Sequence, residues 1–166
     1  MGIRRFFRHL FSDHWSVRYA FPPRAMKAIE DAIGAQERRH DGELRFAVES
    51  ALPFFDLVRG TSARDRAVEV FSRLRIWDTE QNAGVLVYLL LADKRVEIVA
   101  DRGIHARVGA IAWETICGAM QQEFAAGRFE SGMLTGLAAV SDLLQAHFPP
   151  QGERNPNELP DAPAVL

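Results

Sequence analysis

The sequence predicts an α/β fold built on a small mixed β-sheet. Two observations carry that expectation. Segments whose apolar residues recur at every second position alternate with segments in which they recur at helical spacing. Two of the predicted strands are joined by a tight turn and two by a helix, so the sheet holds both antiparallel and parallel pairs. The chain has 166 residues, 48% apolar and 25% charged. That is the size and composition of one soluble domain with its own core, and it excludes a disordered chain, a collagen-like fibre and a disulfide scaffold.

Residues 3–11 read as a short basic amphipathic segment, with Phe6, Phe7, Leu10 and Phe11 set among arginines. Pro22 and Pro23 suit a helix start. Met26, Ile29 and Ile33 follow at helical spacing, and Arg38 and Arg39 suit that helix's C-terminal dipole. His40-Asp41-Gly42 is a turn. Residues 43–51 alternate, with Leu44, Phe46 and Val48 on one face, as in a half-buried strand. Residues 53–60 read as a loop. Ser62 with Asp65 resembles a capping box, opening a helix with Ala63, Ala67, Phe71 and Leu74 on one face.

Residues 85–91 are apolar apart from the Tyr88 hydroxyl, which predicts a strand buried on both faces. Ala92-Asp93-Lys94 turns the chain into residues 95–100, where Val96 and Ile98 point inward, so these strands form an antiparallel hairpin. A helix from about residue 104 to 126 follows, with Val108, Ile111 or Ala112, Ile116, Met120 and Phe124 inward and Gly127 as its stop. Residues 129–147 form the last helix, with Met133, Leu137, Val140 and Leu144 inward. Gly132 and Gly136 cost helix propensity there and imply a close backbone approach. Residues 150–166 contain four prolines and no periodicity, which predicts a disordered tail. The chain thus divides into a segment at 1–21, a domain at 22–149 and a tail at 150–166.

Net charge is −2, so no basic excess points to nucleic acid. The distribution is uneven: residues 1–27 carry six basic side chains against Asp13 alone. Cys117 is the only cysteine, which excludes an intrachain disulfide and suits a reducing cytoplasm. The longest apolar run, residues 83–92, is far short of the roughly 20 residues that span a bilayer. The first residues have arginines but no apolar h-region, so no secretory signal is expected.

The order of motifs along the chain is distinctive. Asn82-Ala83-Gly84-Val85-Leu86 opens the buried strand, and Asp93-Lys94-Arg95 leads into Val96-Glu97-Ile98. Gly103-Ile104, Trp113 and Phe124-x-x-Gly127-x-Phe129-x-x-Gly132 come after. This set resembles the TPM domain family, whose members include thylakoid, photosystem-repair and membrane-associated proteins, over about residues 22–149. The resemblance implies a three-layer α/β/α sandwich with a small mixed sheet and helices on both faces. It also implies association with membrane-protein complexes, divalent cation binding in some members and weak acid phosphatase activity in others. Two departures stand out. Exported members carry a signal peptide, and many a membrane anchor, and neither pattern is seen here. Where the family has Gly-x-Gly after the third strand, this sequence has Asp101-Arg102-Gly103.

The predicted topology gathers the start of the first strand, the start of the second and the end of the third at one end of the sheet. Asp41, Glu43, Asp78, Asn82 and Asp101 lie there, with Glu80 beside them, and such hard oxygen donors suit Ca²⁺ or Mg²⁺. The competing expectation is that they serve as caps and turn residues. The five histidines show no metal-binding spacing and are expected at the surface. Trp15, Trp77 and Trp113 are expected to pack in the core or at its edge. Cys117 reads as a small packed residue, and no nucleophile elbow or phosphate loop occurs.

Arg4, Arg5, Phe6, Phe7, Arg8 and Phe11 form the second candidate surface, since phenylalanines among arginines suit an anionic bilayer. The alternative is that they pack on the domain or on a second subunit. The function expected is a non-enzymatic TPM-like interaction module, cytoplasmic, peripheral at the inner membrane beside a membrane-protein partner. The alternative is a divalent-metal-dependent phosphohydrolase with Asp101 and Asp78 as ligands.

Overall fold

A computed structural model of the chain describes residues 3–10, 12, 14–150 and 157–166. Four strands make one mixed sheet in the order β3-β2-β1-β4: β1 (Glu43–Glu49), β2 (Gly84–Leu90), β3 (Arg95–Ala100) and β4 (Ala164–Val165). β1 and β2 run parallel from the pair Glu43 and Gly84, while β2 and β3 form the expected antiparallel hairpin with Val85 opposite Ala100. Lys94 closes the hairpin turn with φ at 50°.

The period of two in the strands splits the core into two clusters. Val85, Val87 and Leu89 of β2 face one way, joining Leu44, Phe46 and Val48 of β1. That face is covered by α3 (Pro23–Gln36), α7 (Ala110–Ala125) and α8 (Phe129–His147). Leu86, Tyr88 and Leu90 face the other way, against α4 (Phe54–Arg59) and α5 (Ala63–Arg73). Helices therefore cover both faces of the sheet, as in the α/β/α sandwich expected. Burying a side chain such as Phe46 or Leu89 completely is worth about 1.5–3 kcal/mol, so the two clusters supply the main drive to fold.

The helices begin and end for identifiable reasons. Ser62 Oγ accepts the Asp65 N–H at 3.0 Å, and the Asp65 carboxylate reaches back to the Ser62 N–H, a reciprocal capping box at the start of α5. Pro23 opens α3. Gly127 ends the turn after α7 with φ at 79°. The close approach implied by Gly132 and Gly136 is present: a Cβ at Gly136 would lie 2.3 Å from Met120 Sδ, and one at Gly132 would lie 2.6 Å from Glu123 Cβ.

Several expectations are corrected. Residues 53–60 are not a loop but carry α4, closed by Gly60 at φ 76°. Its apolar residues face outward except for Leu57, so it shows no core-directed period. The long helix expected at 104–126 is two helices, α6 (Arg102–Val108) and α7, because Gly109 sits at φ 81° between them. Ile111 is 79% exposed and Trp113 is the buried residue of that turn, since the break resets the helical phase.

The tail is also corrected. Residues 151–156 lie outside the described residues. Residues 157–166 return to the sheet, where Ala164 and Val165 pair in parallel with Ala47 and Val48 and the Leu166 N–H donates to the Val48 carbonyl. Leu159 is buried in the second cluster, and the Arg45 guanidinium donates to the Pro160 and Ala162 carbonyls. Apolar burial and backbone pairing at long sequence separation offset the cost of ordering a proline-rich segment.

Candidate functional site

The sheet end reached by residues 41–43, 78–84 and 101 was the first candidate. The backbone does converge there: Glu43 pairs with Gly84, and the Asp101 N–H donates to the Gly84 carbonyl. The side chains separate. Glu43 is 2% exposed, and its Oε2 accepts the Leu159 N–H at 3.1 Å. Burial raises its carboxyl above the usual range. Asp41 is buried, and its N–H donates to the Phe148 carbonyl. Asp78, Glu80 and Asn82 stand exposed in the turn before β2, with Asn82 at φ 50°. Asp101 Oδ1 accepts the Arg102 N–H at 2.6 Å at the start of α6, while Oδ2 is buried without a hydrogen-bond partner. Among the described residues no group of three or more His, Cys, Asp or Glu side chains could hold a metal ion. Of the five candidates, Glu43 is engaged by the tail and Asp101 caps α6, while Asp78 and Asn82 stand in the exposed turn.

The second candidate is the N-terminal arm, α1 (Ile3–Leu10) and α2 (His14–Ala20). Arg4 lies in α1, and Phe11 lies outside the described residues. Arg5 and Arg8 do not point to solvent as free cations. Arg5 Nε donates to Asp93 Oδ2 at 2.9 Å, and the Arg8 guanidinium donates to Asp93 Oδ1. His9 Nε2 lies 3.1 Å from the same carboxylate, and His9 Nδ1 accepts the Leu52 N–H at 3.1 Å. Burial works to raise the Asp93 carboxyl, but the Arg8 and Arg5 guanidinium donors and the adjacent His9 ring outweigh it and hold it below its ordinary value. Phe6 packs on the second core cluster. The arm is thus latched to the β2–β3 turn, and part of the predicted surface is structural. The other part faces outward: Phe7, Leu10, Trp15 and Tyr19 are exposed, from half to nine-tenths of their area. Arg18 lies over the Trp15 ring at 5.8 Å.

Two histidines depart from the surface placement expected. His9 and His40 are buried, and His40 Nε2 lies 2.6 Å from Ser141 Oγ while its Nδ1 accepts the Gly42 N–H. Burial pushes His40 down to about 4, so it is neutral near pH 7. Of the tryptophans, Trp113 is buried and Trp15 and Trp77 are exposed. Cys117 is half-buried, and burial pushes its thiol up to about 11, which keeps it protonated and unreactive. It borders a cleft of about 510 Å³ between β3 and α7, together with Arg64, Glu97, His105 and Trp113, whose Nε1 has no hydrogen-bond partner. No sequence signal marked this cleft, since its residues come from four separate elements. Nor did one mark the exposed pair Phe54 and Phe55 of α4.

The TPM domain family profile matches residues 20–143. Among solved structures, the NMR structure of the BA42 protein from the psychrophilic bacterium Bizionia argentinensis is similar. It is 31% identical, with a TM-score of 0.73, over 88% of this chain and 95% of that one. No curated protein matches the chain.

Proposed function

The chain belongs to the TPM domain family, and from that premise we propose that it is a non-enzymatic interaction module. It works at the cytoplasmic face of a membrane, beside a membrane-protein complex. The observation that carries this reading is the outer face of the arm. Phe7 and Leu10 stand exposed on α1, which is anchored through Asp93, and Trp15 and Tyr19 stand exposed on α2, whose Val17 is buried in the core. Large exposed apolar groups on a rigid support are a usual mark of an interaction surface, and aromatic residues dominate such contacts. No described helix is long and apolar enough to cross a membrane, so the attachment proposed is peripheral.

Sedimentation with native membrane vesicles tests the reading. The full chain co-sediments with them, and a Trp15→Ser, Tyr19→Ser variant does not. Full-length protein that stays in the supernatant overturns it.

A further inference from the structure

Exposed large apolar side chains are unevenly placed on this molecule. Of eleven among the described residues, seven lie on α1, α2 and α4. α4 is the extreme case: of its six residues, Phe54, Phe55 and Val58 are each more than half exposed, and the two rings meet edge to face at 5.8 Å. Such a helix would be expected to turn these groups inward. It buries only Leu57.

Two bonds fix α1 alongside this element. The Leu52 N–H, two residues before α4, donates to His9 Nδ1, and Arg5 Nη2 donates to the Thr61 carbonyl just beyond it. The outward residues of α1 and α4 thus sit on neighbouring supports, and α2 continues the arm from α1. The charge around them has one dominant sign. α1 and α2 together hold four arginines, two histidines and no acid, of which Arg5, Arg8 and His9 face Asp93, and α4 adds Arg59 against Asp56. Arg8 is half-exposed, and Arg18 and Arg59 are exposed.

We propose that α4 and the arm form one surface that rests on an anionic lipid bilayer, with Phe54, Phe55 and Val58 entering the headgroup boundary. This deepens the membrane placement proposed above by naming lipid as the occupant and α4 as a second contact element. Apolar groups that enter the interface, ringed by arginine, gain both transfer energy and attraction to anionic headgroups. Trp and Tyr at the rim suit the same depth. The exposed Arg18 and Arg59 charges complement an anionic headgroup layer.

Flotation with protein-free vesicles is the test. The chain floats with mixed phosphatidylglycerol–phosphatidylcholine vesicles, much less with pure phosphatidylcholine, and less as salt rises. Phe54→Ser, Phe55→Ser lowers the partition coefficient on the order of tenfold, with an unchanged melting temperature because both residues are exposed. Ile111→Ser, equally exposed but on α7, floats like the wild type. Wild-type protein that binds native vesicles but not protein-free ones overturns the lipid proposal, points to a protein occupant and leaves the module reading intact. A Phe54→Ser, Phe55→Ser variant that floats like the wild type overturns the role of α4.

Discussion

Glu49 of β1 and Arg66 of α5 form a buried two-point ion pair: Arg66 Nε donates to Glu49 Oε2 at 2.9 Å and Nη2 to Oε1 at 2.7 Å. Both are about 4% exposed. Tyr88 Oη donates to Oε2 at 2.6 Å, so one carboxylate ties β1, β2 and α5 together. The Glu49 hydrogen bonds hold the Arg66 guanidinium firmly charged, and burial keeps the Tyr88 hydroxyl protonated.

Breaking such a pair on one side leaves an uncompensated buried charge. Arg66→Ala is expected to cost about 3–5 kcal/mol, and Tyr88→Phe about 1.5–3 kcal/mol for a lost bond to a charged group. Urea unfolding measures both. A cost for Arg66→Ala below that of Tyr88→Phe would show that the pair is not the anchor.

A second prediction concerns the tail. Burial pushes the Glu37 carboxyl from about 4.5 up to about 8, against the Leu44 N–H it accepts, and the Glu43 and Asp161 carboxylates add to the rise. The folded chain then holds a proton that the unfolded chain releases between pH 4.5 and 8. Glu37 therefore contributes stability fully below pH 4.5, loses it as pH rises, and adds no further change above about 8. Glu37→Gln should flatten that part of the stability profile and keep residues 157–166 docked at alkaline pH. A profile as steep in the variant as in the wild type would contradict the assignment.

Two glycines give a graded test of packing. A Cβ at Gly84 would lie 1.9 Å from the Ile76 carbonyl oxygen, a backbone atom, whereas at Gly136 the obstacle is the flexible Met120 side chain. Gly84→Ala should destabilise severely, and Gly136→Ala by about 1–3 kcal/mol, the usual range for overpacking. Equal losses in thermal unfolding would mean that β2 can shift away from Ile76.

The divalent cation series yields a further outcome. A cation at about 100 times its dissociation constant stabilises a fold by about 2.7 kcal/mol, several degrees in melting temperature for a domain of this size. With Glu43 engaged by the Leu159 N–H and Asp101 capping α6, Ca²⁺, Mg²⁺ and EDTA should leave the midpoint unchanged. A shift abolished by Asp101→Asn would restore that sheet end as a metal site.

How far the sequence could be read follows from where the information lies. The hairpin, the capping box at Ser62 and the close approach at Gly132 and Gly136 rest on local chemistry and were legible. β4 was not, because Ala164 and Val165 pair with β1 across more than a hundred residues and show no periodicity. α4 was missed because its apolar residues face water. The acidic sheet end was half legible. Topology brought the backbones together, but Leu159 and the α6 cap decided where Glu43 and Asp101 went. The arm divided likewise: nothing local tells Phe6, which packs inward, from Phe7, which does not.

Hydrogen–deuterium exchange of the full chain with native membrane vesicles tests the central claim most directly. The account predicts slower exchange confined to α1, α2 and α4, with the acidic sheet end and α7 unchanged. Protection at the turn before β2 and at Asp101, or none anywhere, would contradict it.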